Sequence, residues 1–317
     1  MRIGDLALKS RFILSPMESV SDVGFRRICY AQGAGLTWTE MVRASGIVRR
    51  NKATLDLIDT HDPDTLTGIQ LFIANERELG VTLYQLEQLA HSSLPHLKNI
   101  RAVDLNFGCP SPEVIRLGAG PALIKRTNKM ATMFKILHDW RRRTTLDIGA
   151  VGVKIRLGLN QMEQDHKVYL RLIEAANEKL DYITVHARHA KQKSNDSPSW
   201  NAIKEMKELA TIPIIGNGDV TDAASAQRMT SQTKCDGIMV ARAAITSPWV
   251  FRELLGTGNS KPAANELSEA ERLYDEFASR FQTKEKYREF HRENFRRMRD
   301  ATGNMLSAIP KNSNLGQ

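Results

Sequence analysis

Short apolar runs alternate with longer amphipathic stretches along most of this chain. The runs Phe12–Pro16, Gly35–Thr39, Leu66–Leu71, Ile100–Leu105, Ile148–Ile155, Tyr182–Val185, Ile212–Ile215 and Cys235–Val240 read as strands. Between them, apolar residues recur at helical spacing over Val23–Ala31, Ala44–Ile58, Glu76–His91, Asn128–Arg142, Glu163–Lys179, Ser199–Leu209, Asp222–Thr230 and Ala244–Leu255. Eight such strand–helix units in about 250 residues predict a closed α/β barrel of the (β/α)8 kind. An open doubly wound sheet would bring a glycine-rich first turn, and Pro16-Met17-Glu18-Ser19 is not one. Gly256 to Pro262 breaks the pattern as a linker, and Ser268 to Met298 reads as mainly helical. The expected organisation is a barrel over 1–255 and a small C-terminal helical domain over 256–317, with Ile309–Gln317 frayed.

A parallel barrel places its chemistry at the C-terminal strand ends. The first strand leads to Pro16, Met17 and Glu18, the second to Glu40, and the third carries Gln70. The fourth runs through Asn106, breaks at Gly108 and presents Cys109, with Pro110 stiffening the exit. A free cysteine is commonly a small buried hydrophobe, but one held just past a strand end is placed for chemistry. Lys154 interrupts the apolar fifth strand, and Arg156 follows it. A lysine there faces an anion or an electron-rich ring, or snorkels outward. His186 and Arg188 close the sixth strand, Asn217-Gly218-Asp219 the seventh, and Ala241-Arg242 the eighth. The loops after strands seven and eight commonly cradle phosphate, and small Gly218 and Ala241 let the backbone approach one.

Composition narrows the classes. No apolar run nears the roughly 18 residues that cross a bilayer, and Met1–Asp5 lacks a signal-peptide layout, so a cytoplasmic protein is expected. The three cysteines have no metal-ligand spacing and suit a reducing compartment; no metal is expected. Neither a serine nucleophile elbow nor a glycosidase carboxylate pair stands out. A formal charge of +9 points weakly to a polyanion such as RNA. Lys284, Arg288, Arg292 and Arg296 recur every fourth residue as a stripe suited to an RNA backbone, although Glu285, Glu289 and Glu293 sit three residues before the arginines. A phosphorylated cofactor in the barrel mouth accounts for this combination.

The ordered set resembles the tRNA-dihydrouridine synthases. It is carried by Ser15-Pro16-Met17-Glu18, Thr39-Glu40-Met41, Gln70, Asp104-Leu105-Asn106-Phe107-Gly108-Cys109-Pro110, Gly118–Leu123, Lys154–Gly158, His186-Ala187-Arg188, Ile215–Asp219, Met239–Ala244 and Pro248-Trp249. The resemblance covers about residues 1–255. It implies FMN across the barrel mouth, edged by Pro16, Met17 and Glu18 and bonded by Gln70. Lys154 would face the N1/O2 side, where reduced flavin carries negative charge. His186, Asn217, Gly218, Asp219, Ala241 and Arg242 would line its phosphate end. NADPH would reduce the flavin, a hydride would reach C6 of a uridine in tRNA, and Cys109 would protonate C5. Asn106, Arg156 and Arg188 would hold the substrate. Ala241 replaces a glycine of the family pattern, which the turn accepts if its φ is negative. A monomer is expected. The rival reading is an FMN barrel acting on a free pyrimidine, as dihydroorotate dehydrogenases do.

Overall fold

The structure, a computed structural model, describes residues 1–307. Eight parallel strands form one sheet: β1 (Phe12–Leu14), β2 (Thr37–Arg43), β3 (Thr67–Phe72), β4 (Ile100–Phe107), β5 (Ala150–Ile155), β6 (Tyr182–His186), β7 (Ile214–Asn217) and β8 (Gly237–Val240). Neighbours follow chain order, and β8 pairs with β1. Ile13 bridges Leu36, and the Leu14 N–H donates to the Leu36 carbonyl at 2.9 Å, so β1 meets the chain just ahead of β2 and the barrel all but closes. Helices lie between the strands, as the alternation of apolar runs and amphipathic stretches predicts.

Strand periodicity of two divides each run between two faces. Phe12, Leu14, Ile69, Leu71, Val103, Leu105, Val151, Val153, Ile183, Val185, Ile238 and Val240 point outward and join the large core shared with the helices. The alternate positions Ile13, Trp38, Ala102, Ala150, Tyr182, Ile215 and Met239 form a separate apolar cluster inside the barrel. Ile3, Leu6 and Leu8 join that cluster from a small N-terminal hairpin, Arg2–Ile3 against Leu6–Ala7, which had no signal in the periodicity. The two large interior rings are accommodated by glycines. A Cβ on Gly68 would collide with the Trp38 ring, and one on Gly152 with the Tyr182 ring.

Several element bounds differ from the sequence reading, each for a local reason. The second strand runs Thr37–Arg43, so Glu40 lies within it and not at its end. Ala44–Ile58 is two short helices, Ala44–Val48 and Lys52–Leu55, split where Arg50 takes φ 52° and the Asn51 side chain accepts from the Thr54 N–H. Glu163–Lys179 is interrupted at Lys167, φ 50°. The last barrel helix breaks before Pro248 into Arg242–Thr246 and Val250–Leu254. The stretch Ile309–Gln317 lies outside the described residues.

Two helices, Ala264–Arg280 and Glu285–Ser307, follow the barrel. Leu267, Ala270, Tyr274, Ala278 and Phe295 share one buried cluster with Ile28 and Trp249 of the barrel. Most basic side chains of this region pair with carboxylates while staying exposed. Lys284 pairs with Asp56 at 3.4 Å, Arg292 with Asp275 and Glu285 at 3.4 and 3.3 Å, Arg296 with Glu293 at 2.5 Å, Arg297 with Glu293 at 3.0 Å, and Arg299 with Glu271. Arg288 donates to the carbonyls of Thr283 and Ala278. Of the three pairings that the spacing offers, only Arg296 with Glu293 forms among the described residues.

The interior rings set a testable limit on β5. Gly152→Ala is expected to lower stability by about 1–3 kcal/mol through overpacking. Adding Tyr182→Leu should recover part of that loss, and additive losses in chemical denaturation would show that the two sites do not touch.

Candidate functional site

One step above the apolar interior layer, the same inward parity turns polar. Ser15 follows β1, Glu40 lies on β2, Gln70 on β3, Asp104 and Asn106 on β4, Lys154 on β5, His186 on β6 and Asn217 on β7, with Ala241 just past β8. Register brings them side by side: Gln70 opposite Asp104, Asn106 opposite Lys154, and His186 opposite Asn217. The candidate residues from the strand ends thus gather at one end of one barrel.

A buried relay runs across β6, β4 and β3. The Tyr182 hydroxyl donates to Asp104 Oδ1 at 3.1 Å, and Gln70 Nε2 donates to Asp104 Oδ2 at 2.7 Å. Asn106 Nδ2 donates to Gln70 Oε1 at 2.8 Å, and Asn106 Oδ1 accepts from the N–H groups of Gly108 and Cys109 at 3.1 and 2.8 Å. The direction of both amides is set from the backbone end, because the N–H groups of Gly108 and Cys109 only donate. Burial raises the Asp104 carboxyl to about 7 against the pull of Gln70, Tyr182 and Lys154. Sequence reading missed Asp104 and Tyr182 as site members. Their inward parity with Asn106 and His186 was the available signal.

This relay holds the turn that carries Cys109. The thiol is partly exposed beside Met41, Phe72, Ala74, Val114 and Ala119. Gly120, at φ 57°, packs against the turn; a Cβ there would lie 2.9 Å from the Cys109 carbonyl oxygen and 2.8 Å from Val114 Cγ1. Burial pushes the thiol pKa up, and Glu18 adds to this, while a backbone hydrogen bond from Ser111 and the charges of Arg156 and Lys154 oppose it. The group is a protonated thiol at neutral pH. Burial and the charge of Arg156 lower Lys154 to about 8, with Asp104 and Cys109 opposing. Among the described residues Lys154 has no hydrogen-bond or ion-pair partner.

Next to this lies a cavity of about 380 Å³ walled by Arg156, His186, Arg188, Asn217, Gly218 and Arg242, among others. His186 is held neutral, far below the ordinary imidazole value, by burial and then by Lys154, Arg156, Arg188 and Arg242. Burial and Arg188 bring Arg156 down to about 10. Gly218 (φ 134°) and Asp219 (φ 55°) turn successive peptides in left-handed conformations, which is how backbone N–H groups come to face an anion. Ala241 takes φ −122°, so its methyl group fits the turn. Asn217 Nδ2 donates to the Met239 carbonyl at 2.8 Å, tying the ends of β7 and β8 together.

Two arginines there are building members. Arg188, almost fully buried, donates to the carbonyls of Ser194 and Asp196 and to Asp219 Oδ2 at 2.6 Å. Arg242 donates to Ser194 O at 3.2 Å and pairs with Asp219 Oδ1 at 2.5 Å. The Asp219 carboxylate is thus spent on two guanidinium groups, and Arg188 shapes the loop after β6. Arg156 donates to the His189 carbonyl at 3.1 Å and has no carboxylate partner among the described residues.

The loop bearing Pro16, Met17 and Glu18 is clamped from the C-terminal helices. The Ser19 N–H donates to Glu40 Oε2 at 2.9 Å, and the Tyr287 hydroxyl donates to Glu40 Oε1. Lys286 Nζ reaches Ser19 Oγ at 3.1 Å, His291 Nε2 the Val20 carbonyl at 2.9 Å, and the Tyr274 hydroxyl Asp22 Oδ2 at 2.7 Å. Pro16 and Met17 are half-buried and Glu18 is exposed. Sequence reading had no means to find this clamp, since its partners are more than 240 residues apart.

Cys29 and Cys235 are buried, so alkylation reports on Cys109. The rate with iodoacetamide should stay low at pH 7 and climb only above the ordinary thiol range near pH ~8.5. Lys154→Met should move that climb higher, because the ammonium favours thiolate. A wild-type midpoint below pH ~8 would contradict the thiol's burial. Asp104→Leu strands the Gln70 amide and should cost about 1–3 kcal/mol in denaturation.

The site's relatives are consistent across comparisons. A family model described as "Dihydrouridine synthase (Dus)" matches residues 13–315. A "Probable tRNA-dihydrouridine synthase" of Aquifex aeolicus is 34% identical over 248 residues, 77% of this chain and 72% of that protein. A "tRNA-dihydrouridine synthase B" of Klebsiella pneumoniae is 30% identical over 278 residues, 86% of this chain and 80% of its own. Among solved structures, histamine dehydrogenase from Rhizobium sp. 4-9 superposes with TM-score 0.58 at 16% identity, over 81% of this chain and 47% of that one, and supports the barrel fold alone. Morphinone reductase in complex with tetrahydroNAD gives 0.53 at 14%, over 84% and 92%. With the thiol turn, the lone lysine and the arginine-walled cavity in one barrel mouth, these matches mean that the chain belongs to the dihydrouridine synthase family of oxidoreductases.

Proposed function

We propose that this protein reduces uridines in tRNA to 5,6-dihydrouridine, with FMN as cofactor, NADPH as reductant and Cys109 as general acid. The observation that carries the reading is a protonated thiol on a braced turn, with an unpartnered lysine on the neighbouring strand and a cation-walled cavity beyond. A flavin phosphate suits that cavity: its walls hold more cations than the single carboxylate of Asp219 balances, and Gly218 keeps the backbone open. His186, Asn217, Gly218, Ala241 and Arg242 would hold the phosphate end, with Asp219 acting through its arginines. Pro16, Met17 and Glu18 would edge the ring system. Gln70 keeps one amide hydrogen and one lone pair free of the relay for the ring's polar edge.

Bound FMN supplies the hydride that the base receives at C6. Charge then gathers at C5 and O4 of the base. Cys109 delivers its proton to C5, which requires the thiol, the form its surroundings favour. Lys154 offers positive charge to the electron-rich ring it faces. Asn106 fixes the turn and so the sulfur's direction, and Arg156, whose guanidinium has no carboxylate partner among the described residues, would hold the substrate. Arg188 acts by shaping the loop and not by touching the base. The target uridine must leave its stack to reach the barrel mouth. Three free cysteines suit a cytoplasmic setting.

Purified protein should carry flavin absorbance, and Cys109→Ala should retain it while losing about 10²–10⁴-fold in dihydrouridine formation on tRNA. Unchanged turnover would remove the acid role. Turnover of free uracil or dihydroorotate but not tRNA would favour the free-pyrimidine reading.

A further inference from the structure

Ser19 takes φ 58°, a left-handed backbone that is strained for a serine and persists only where neighbours hold it. It directly follows Pro16, Met17 and Glu18, so the course of that segment depends on how residue 19 is held. The holding groups trace back to the last helix. The Ser19 N–H donates to Glu40 Oε2 at 2.9 Å, and the other oxygen of that carboxylate accepts from the Tyr287 hydroxyl. Lys286 adds its ammonium to Ser19 Oγ at 3.1 Å. Glu40 and Tyr287 are each 5% exposed, so water does not readily replace either partner.

The segment is anchored on both sides of this bend by groups independent of Tyr287. The Ser15 N–H donates to the Val240 carbonyl of β8 at 2.8 Å. Past the bend, the Met17 N–H donates to Ser21 Oγ at 3.0 Å, and buried Arg26 donates to the Ser21 carbonyl. Asp22 caps the helix Val23–Ala31 through the Phe25 N–H at 2.8 Å. Loss of the Tyr287 contact therefore frees the bend without freeing the loop as a whole. Two parts of the site feel that bend. Pro16 and Met17 edge the flavin ring in the reading above. Glu18 is exposed, yet its charge reaches Cys109 and helps to keep the thiol protonated.

We propose that Tyr287 is a positioning residue of the barrel mouth: through the Glu40 carboxylate it holds Ser19 in its left-handed backbone, and so keeps Pro16 and Met17 at the flavin edge and Glu18 beside Cys109. For the flavin edge the proposal rests on the cofactor reading above; for the thiol it does not.

The test compares wild type, Tyr287→Phe, Ser19→Gly and the double variant. Release of FMN on dilution is followed by flavin fluorescence, and alkylation of Cys109 by iodoacetamide is timed with FMN in excess. Tyr287→Phe leaves Glu40 one donor short and should weaken FMN binding about tenfold. It should also speed alkylation about twofold or more at pH ~7.5, since the retreat of Glu18 and the entry of water both lower the thiol pKa. Glycine adopts the left-handed backbone without strain. Ser19→Gly added to Tyr287→Phe should therefore bring FMN binding to within about threefold of wild type and return alkylation to near its wild-type rate. A general loosening of the helix pair would not respond to residue 19. Lys286→Met, at an exposed position, should move both readouts the same way by less, and it decides the question if Tyr287→Phe does not fold. Wild-type values in Tyr287→Phe, or losses that Ser19→Gly leaves unchanged, would overturn the proposal while leaving the cofactor reading in place. If the wild type takes up no FMN, the cofactor reading fails and the thiol measurement decides the proposal by itself.

Discussion

A ring of parallel strands has one interior, and every side chain facing it must be packed, paired or offered to a ligand. In this protein that constraint is met in layers. The lower layer packs around Trp38 and Tyr182, with Gly68 and Gly152 yielding space and the N-terminal hairpin closing the floor. The layer above pairs through the Tyr182–Asp104–Gln70–Asn106 relay. What is left over, Lys154 and the ring of His186, has no hydrogen-bond partner among the described residues and so belongs to whatever enters the mouth.

Electrostatics at the mouth follow from the same confinement. Burial costs charged groups their hydration, so Asp104 rises, Lys154 falls and the Cys109 thiol keeps its proton. The three shifts are coupled, because the lysine opposes both the rise of the carboxyl and that of the thiol. Burial, and after it the charges of Lys154, Arg156, Arg188 and Arg242, hold His186 neutral.

The C-terminal helices extend this logic outward. Their apolar cluster includes Ile28 and Trp249, and several of their polar contacts fall on residues 19–22 and on Glu40. They brace the edge of the site.

The eight strands, their order and the chemistry at their ends were legible in the sequence, because a strand buried on both faces must read as a short apolar run. A polar residue such as Lys154 or Gln70 within one stands out for the same reason. Cys109 was legible because a glycine–thiol–proline turn has a local conformation. Parity within the strands also marks Asp104 and Tyr182, once the inward face is known. Tertiary structure decided the rest. It alone set which carboxylate meets which cation, burying Arg188 against Asp219 and pairing Arg292 with Asp275. It alone brought Tyr287 to Glu40 and His291 to Val20. Local sequence fixes the period of a strand and the shape of a turn, but ion pairs and clamps form between residues whose distance in the chain carries no trace of their distance in space.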